Sequence, residues 1–383
     1  MDCKFVAKFP FLTQLSFTMK NQYFTTLIIV CICLLNLQHA YAQYVFGGAS
    51  TVQSPNVMGF GGIGVTGNSW NNTEAVYVNP ARITQGERFA AQFSYSPSFN
   101  NPMSMHRFFS VNAGYAFESG HALGITSRKR VFKGITGGGI VLGPASVNMY
   151  SLAYRYETKK RFSVGLSLGY HDEPNQVWMS GLTASLGIHK AYQSEIKPSG
   201  YGQFTWGLSF ADIGGARHED KSDVNGRRAV PSSQFYLGLG YQRKIFFDPE
   251  GDSFLDIMLA YQAQKSIVPQ LVTMPGLIEG GILTRIFNSL SDNPEGFSGE
   301  LAEIRHHTGL LVGIRMHNFT GNLSFGYMPG VSTTGYFGSS ISSFGVSIGY
   351  KAFNISAARQ QYSGFTNLTY ADFLQCGYSI PLE

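Results

Sequence analysis

The stretch FSVGLSLGY, residues 162–170, decides the fold class. Side chains alternate across an extended chain, so Phe162, Val164, Leu166, Leu168 and Tyr170 share one face. Ser163, Gly165, Ser167 and Gly169 share the other. The apolar face opens and closes on an aromatic ring. Eight residue steps at about 3.3 Å, tilted by roughly 40°, rise about 20 Å, which sets the two rings near the two interfaces of a membrane. A soluble sheet also alternates, but its second face normally carries Lys, Glu and Thr rather than Gly and Ser.

The same scheme recurs along the chain. FYLGLGY (235–241) places Phe235, Leu237, Leu239 and Tyr241 together, and FGVSIGY (344–350) does so with Phe344, Val346, Ile348 and Tyr350. About fourteen such runs can be marked. They lie near 87–95, 107–117, 120–130, 145–157, 160–170, 177–190, 201–211, 233–244, 252–264, 306–317, 320–328, 340–350, 352–360 and 371–380. The gaps after the second, fourth, tenth and twelfth runs are a few residues. Those after the third, seventh, ninth and eleventh are long, and 265–305 is the longest. Short turns alternating with long loops, over an even strand number, is the rhythm of a transmembrane antiparallel β-barrel.

Composition agrees. Charged residues make up 13% of the 383, against about 25% in ordinary soluble domains, while aromatics reach 14% and glycines number 45. From Met19, the expected start, a basic residue (Lys20) precedes an apolar core from about Phe24 to Leu35. Ala40-Tyr41-Ala42 then makes a small-x-small site, so residues 1–42 are expected to be a secretory signal peptide. Its removal takes away Cys3, Cys31 and Cys33 and leaves Cys376 alone, which excludes an internal disulfide framework. It also removes three Lys and one Asp, two units of the formal +5. No basic run is longer than Arg128-Lys129-Arg130, too little for a nucleic-acid footprint. No later run of about eighteen apolar residues suits a spanning helix.

Several motifs invite a chemical reading. Gly59, Gly61 and Gly64 match G-x-G-x-x-G, but a polar segment with Pro55 precedes them and no helix-forming sequence follows, so a dinucleotide turn is excluded. Gly165-Leu-Ser167-Leu-Gly169 and Gly345-Val-Ser347-Ile-Gly349 match G-x-S-x-G, yet both serines fall mid-strand instead of on a sharp elbow. His306 and His307 are strand neighbours that point apart and cannot jointly hold a metal. His218, Asp220 and Asp223 lie in a polar stretch expected to be a solvated loop. The sequence therefore predicts no enzyme, no cofactor and no metal site.

MGFGGIGV (58–65) followed by NNTEAVYVNPARI (71–83) resembles the N-terminal segment of the FadL-like barrels, where a glycine-rich stretch precedes an Asn-Pro. More narrowly, the chain is similar to the PorV/PorQ group, outer-membrane proteins of the type IX secretion system of Bacteroidetes. GLSFADIGGARHEDKSDVNGRRAVPSSQFYLGLGYQ (207–242) matches that group's strand, Ile-Gly-Gly turn, acidic loop, Pro and Leu-Gly-x-Gly-Tyr strand. NSLSDNPEGFSGELAEI (288–304) is the most specific part of the match, and the aromatic run expected after it is replaced by LLVGIR.

This resemblance implies a barrel of about fourteen strands over 87–383 with a hatch from 43–86 in its lumen. Gly59, Gly61, Gly62 and Gly64 would let that hatch fold tightly among luminal side chains, and Asn79-Pro80 would end it before the first strand. The implied role is non-enzymatic and sited in outer-membrane lipid: receiving cargo proteins from the type IX translocon through their C-terminal signal domains and passing them to the attachment complex. Loops 211–232 and 265–305 are the expected contact surfaces. Within 288–304 the candidate partner-binding residues are Asp292, Pro294, Gly296, Phe297, Glu300 and Leu301, with Asp292 to Gly296 in a turn and Ser298 capping a helix-like start. The alternative is a FadL-like importer of hydrophobic small molecules, which would require an apolar pocket behind the hatch.

Overall fold

The structure, a computed structural model, describes residues 42–46, 55–60, 62–66, 73–96, 106–132, 135–137, 140–142, 145–173, 179–218, 228–231, 233–248, 252–267, 304–329, 340–363 and 369–381. Fourteen antiparallel strands form a closed barrel in chain order. They are β1 Glu87–Ser96, β2 His106–Ala116, β3 His121–Phe132, β4 Ala145–Glu157, β5 Phe162–Glu173, β6 Met179–Gln193 and β7 Gly200–His218. They continue as β8 Gln234–Phe246, β9 Ser253–Ser266, β10 Arg305–Met316, β11 Phe319–Met328, β12 Ser340–Tyr350, β13 Phe353–Ser363 and β14 Thr369–Pro381. β14 returns to pair with β1, Cys376 opposite Phe93 and Tyr378 opposite Ala91, so every barrel strand has two neighbours. Closure removes the exposed edges that an apolar environment would not tolerate.

The period-2 pattern fixes which face is which. In β5, Ser163, Gly165, Ser167 and Gly169 are buried inside, while Leu168 and Tyr170 stand outside at 43% and 42% exposure. In β12 the exposed large apolar residues are Phe344, Val346, Ile348 and Tyr350. The outer wall is thus a band of Leu, Ile and Val between two aromatic girdles. Phe319, Tyr350 and Phe353 lie in the girdle near the short turns; Phe93, Tyr170, Phe325 and Phe344 lie near the opposite end. Turns 117–120, 158–161, 317–318 and 351–352 mark the short-turn end, which barrel architecture places in the periplasm. His317 and Lys351 take φ values of 50° and 53° to close the two-residue turns.

Two details depart from the sequence reading. Ile213, Gly214 and Gly215 do not turn: β7 runs on to His218, paired with β6 from Ile213 opposite Ala184 to His218 opposite Met179. A bulge between Phe210 and Ile213, with Asp212 at φ 55°, re-aims the strand, while pairing with β8 stops at Ala211 opposite Gln234. Bulges act in this way at barrel rims. Residues 211–218 therefore belong to the wall instead of an outer loop. Secondly, the region read as loop contains a short strand, Arg228–Pro231, in parallel pairing with Ala42–Phe46.

Residues 1–41 of the signal-peptide segment, Gly61 and the platform segment up to residue 303 lie outside the described residues, and so do Asp292, Pro294, Gly296, Phe297, Glu300 and Leu301.

Candidate functional site: the filled lumen

The described residues of 55–60, 62–66 and 73–86 lie inside the barrel and carry a small core with them. A short helix, α1 (Pro55–Gly59), and two 3-10 turns, Thr73–Tyr77 and Pro80–Arg82, supply most of its structure. Val57, Val65, Val76, Tyr77, Val78 and Ile83 pack together against Ala153, Ala211 and Tyr236 of the wall. Phe60 and Ile63 pack on Met258, Ala260 and Leu311. The apolar residues of the plug thus meet one another and a few apolar residues of the inner wall, whose buried polar members are mostly Ser, Thr, Asn and Gln with Arg128, Arg155, His189 and Asp256 among them.

The wall glycines make room for plug backbone. A Cβ on Gly165 would stand 2.5 Å from the Pro80 carbonyl oxygen, and one on Gly309 would stand 2.7 Å from that of Phe60. One on Gly207 would stand 2.8 Å from the Val65 oxygen. No side chain fits at such separations. The plug reciprocates at Gly59, where a Cβ would meet the Gly345 Cα at 2.7 Å; Gly64 serves the plug's own packing, since its Val78 closes the space there at 2.8 Å. Gly62 has φ +81°, a left-handed conformation natural to glycine, beside His307. The alternating small face of the strands is therefore a receiving surface for the chain's own N-terminal segment.

Hydrogen bonds fix the register of that fit. Gln262 of β9 accepts from Gly64 N at 3.0 Å and Val65 N at 3.1 Å, and its amide donates to Gly62 O at 3.3 Å. Asn79 caps the second 3-10 turn by accepting from Ala81 N at 3.1 Å, and donates to Ile188 O at 3.1 Å. Pro80 occupies the first helical position, where its missing N–H costs nothing. Asn79-Pro80 thus opens a turn instead of ending regular structure. Arg82 donates to Gly64 O at 2.7 Å, tying the two halves of the plug together. Burial lowers the Arg82 guanidinium to about 9, which leaves it cationic at neutral pH. Towards the long-loop end, Thr73 donates to Gln92 at 2.5 Å and Ser94 donates to Glu74 at 2.8 Å. Arg128 of β3 lies over the Tyr77 ring. Burial raises the Tyr77 hydroxyl above its ordinary range, and Arg128 opposes the shift.

The candidate chemical residues separate. Ser167 and Ser347 are buried mid-strand side chains on the inner face, with no elbow at either. His306 faces outward and bonds Tyr261 at 2.6 Å, while His307 faces inward beside Gln264 at 3.0 Å. His218 ends β7, and Asp220 and Asp223 lie outside the described residues. Cys376 is exposed on the outer wall. The residues that sequence reasoning missed are the inward Gln and Asn that interrupt the small face, Gln92, Asn112, Gln262 and Gln375. Each bonds a plug side chain or amide. Their signal was present: in MLAYQAQ a long amide stands where the pattern elsewhere places Gly or Ser.

Comparison with solved structures returns outer-membrane barrels. CdiB from Acinetobacter baumannii superposes with a TM-score of 0.40 at 11% identity, over 76% of this chain and 60% of its own, so the chain spans about three-fifths of that protein. The CymD monoaromatic hydrocarbon channel gives 0.44 at 11% identity over 86% of this chain and 98% of its own. A bacterial polysaccharide outer membrane secretin gives 0.38 at 11% identity over 77% and 98%. These are similarities of barrel shape alone. No protein-family model matches the chain, and no curated protein is similar to it in sequence.

Proposed function

We propose that this chain is a plugged outer-membrane barrel that works in protein secretion, as a non-enzymatic shuttle of the type IX kind. The observation that carries the proposal is the way the lumen is filled. Wall glycines and plug backbone interlock, and Gln262 and Asn79 bond the plug to the wall. A barrel so occupied offers its partners its outer surface and its long loops in preference to its interior. The resemblance of 207–242 and 288–304 to the PorV/PorQ group supplies the secretion context. Asp292, Pro294, Gly296, Phe297, Glu300 and Leu301 remain the proposed contact residues.

The importer alternative needs an apolar chamber behind the plug. The cavity described on the periplasmic side of the plug has Phe117, Ala191 and Met258 in its lining but also Arg82, Gln85, Arg155, Gln203 and Lys244, and that many charged and amide groups make it a poor host for a hydrocarbon. Affinity purification from native outer membrane, with mass spectrometry, separates the two. The secretion role brings down translocon subunits or cargo bearing a C-terminal signal domain, and deleting 288–304 abolishes this while leaving the barrel folded. Recovery of hydrophobic small molecules without protein partners would overturn it.

A further inference from the structure

The plug does not fill the barrel to its periplasmic mouth. Between Thr66 and Arg82 of the plug and the turns 117–120 and 158–161 lies a cavity of about 600 Å³, within the range of small-molecule sites. Five cationic side chains border it: Arg82, Arg155, Lys159, Arg161 and Lys244. Glu118 and Glu157 are its two acids. Glu118 is drawn towards Arg88 on the rim at 3.9 Å, and Glu157 pairs with Arg155 at 3.3 Å. Positive charge is therefore in excess here.

Arg155 is the decisive residue. It is 2% exposed, points inward from β4 and lines the cavity. Glu157 engages only one of its terminal nitrogens, and among the described residues neither its Nε nor its Nη1 has a hydrogen-bond partner. A guanidinium has five N–H donors and stays charged, so burying it with two nitrogens unpartnered is costly unless an acceptor arrives. Gln85, Gln203, Gln242 and Thr205 add neutral hydrogen-bonding groups around the same space.

We infer that this cavity is a binding site for a small organic oxyanion, a carboxylate or phosphate ester, whose charged oxygens accept from Arg155. The neutral amides hold the rest of the solute, and Lys159 and Arg161 on the exposed turn draw it in from the periplasm. The inference stands independently of the secretion role.

The test is calorimetric titration of the full-length barrel in neutral detergent with citrate, glycerol 3-phosphate and glycerol. At least one anion should bind while glycerol does not. Arg155→Gln should weaken that binding about tenfold or more, the worth of a hydrogen bond to a charged donor. Arg359→Gln, which breaks the exposed outer-wall pair with Asp372, should leave it unchanged. Competition by phosphatidylglycerol in mixed micelles would identify a lipid headgroup as the source of the phosphate; its failure to compete would identify a soluble one. Equal behaviour of the anions and glycerol, or an Arg155→Gln barrel that binds like wild type, overturns the site. Should Arg155→Gln fail to assemble, the exposed double variant Lys159→Gln/Arg161→Gln decides instead. A several-fold loss supports the site, and unchanged affinity refutes it.

Discussion

Replacing Gly165 with alanine should loosen the plug while leaving the wall intact. The added Cβ would lie 2.5 Å from the Pro80 carbonyl oxygen and closer still to the Pro80–Ala81 peptide, all of it backbone. Backbone cannot swing aside as a side-chain tip can, so one of the two elements must move. β5 is paired along its length with β4 and β6. The Pro80–Arg82 turn is held by the Asn79 cap and a few local bonds. The turn yields. Overpacking of this kind costs about 1–3 kcal/mol, which raises the local opening equilibrium roughly 5- to 150-fold. Amide hydrogen exchange of the detergent-solubilised Gly165→Ala barrel reads that directly: Ala81, Arg82 and Gln85 should exchange faster by this factor, while β5 amides should not. Gly321→Ala is the control, because its Cβ would meet nothing nearer than 3.6 Å. Unchanged exchange at Ala81 in an assembled Gly165→Ala barrel would refute the close approach and the receiving-surface account with it.

Further outcomes follow from the same contacts. Gln262→Leu strips the acceptor from two buried amides, Gly64 N and Val65 N, and should destabilise the plug by about 2–4 kcal/mol, measured by exchange at those amides; Gln262→Glu, which keeps an acceptor, should lose less. The double variant Ser167→Ala/Ser347→Ala should leave cargo export at the wild-type rate, since neither serine stands on an elbow. Lost export from a correctly assembled double variant would point to chemistry at these positions.

The wall was largely legible in the sequence because a strand's two faces are written residue by residue. FSVGLSLGY announces its lipid and luminal sides without reference to any partner, and the fourteen expected runs lie within a few residues of the strands formed, apart from the longer seventh. Adjacent His306 and His307 separate for the same reason. Periodicity names a face but not what covers it. Hence the luminal glycines read as merely small, when in fact Gly165, Gly207 and Gly309 are shaped by Pro80, Val65 and Phe60, partners more than eighty residues away. Gly214-Gly215 carries the ordinary signature of a turn. It stays in β7 because the Ala211–Asp212 bulge has already bent the strand, and because the Leu182 backbone passes too close to Gly214 for a Cβ. Arg155 gave no signal in sequence, since its importance lies in a cavity formed by two distant turns and the plug.

Conductance across a planar bilayer tests the central claim most directly. If the N-terminal segment closes the lumen through the contacts described, the full-length protein inserts with little or no steady current, whereas a barrel lacking residues 43–86 but keeping all fourteen strands passes a large, stable one. A full-length barrel that conducts as freely as the truncated form would contradict the account.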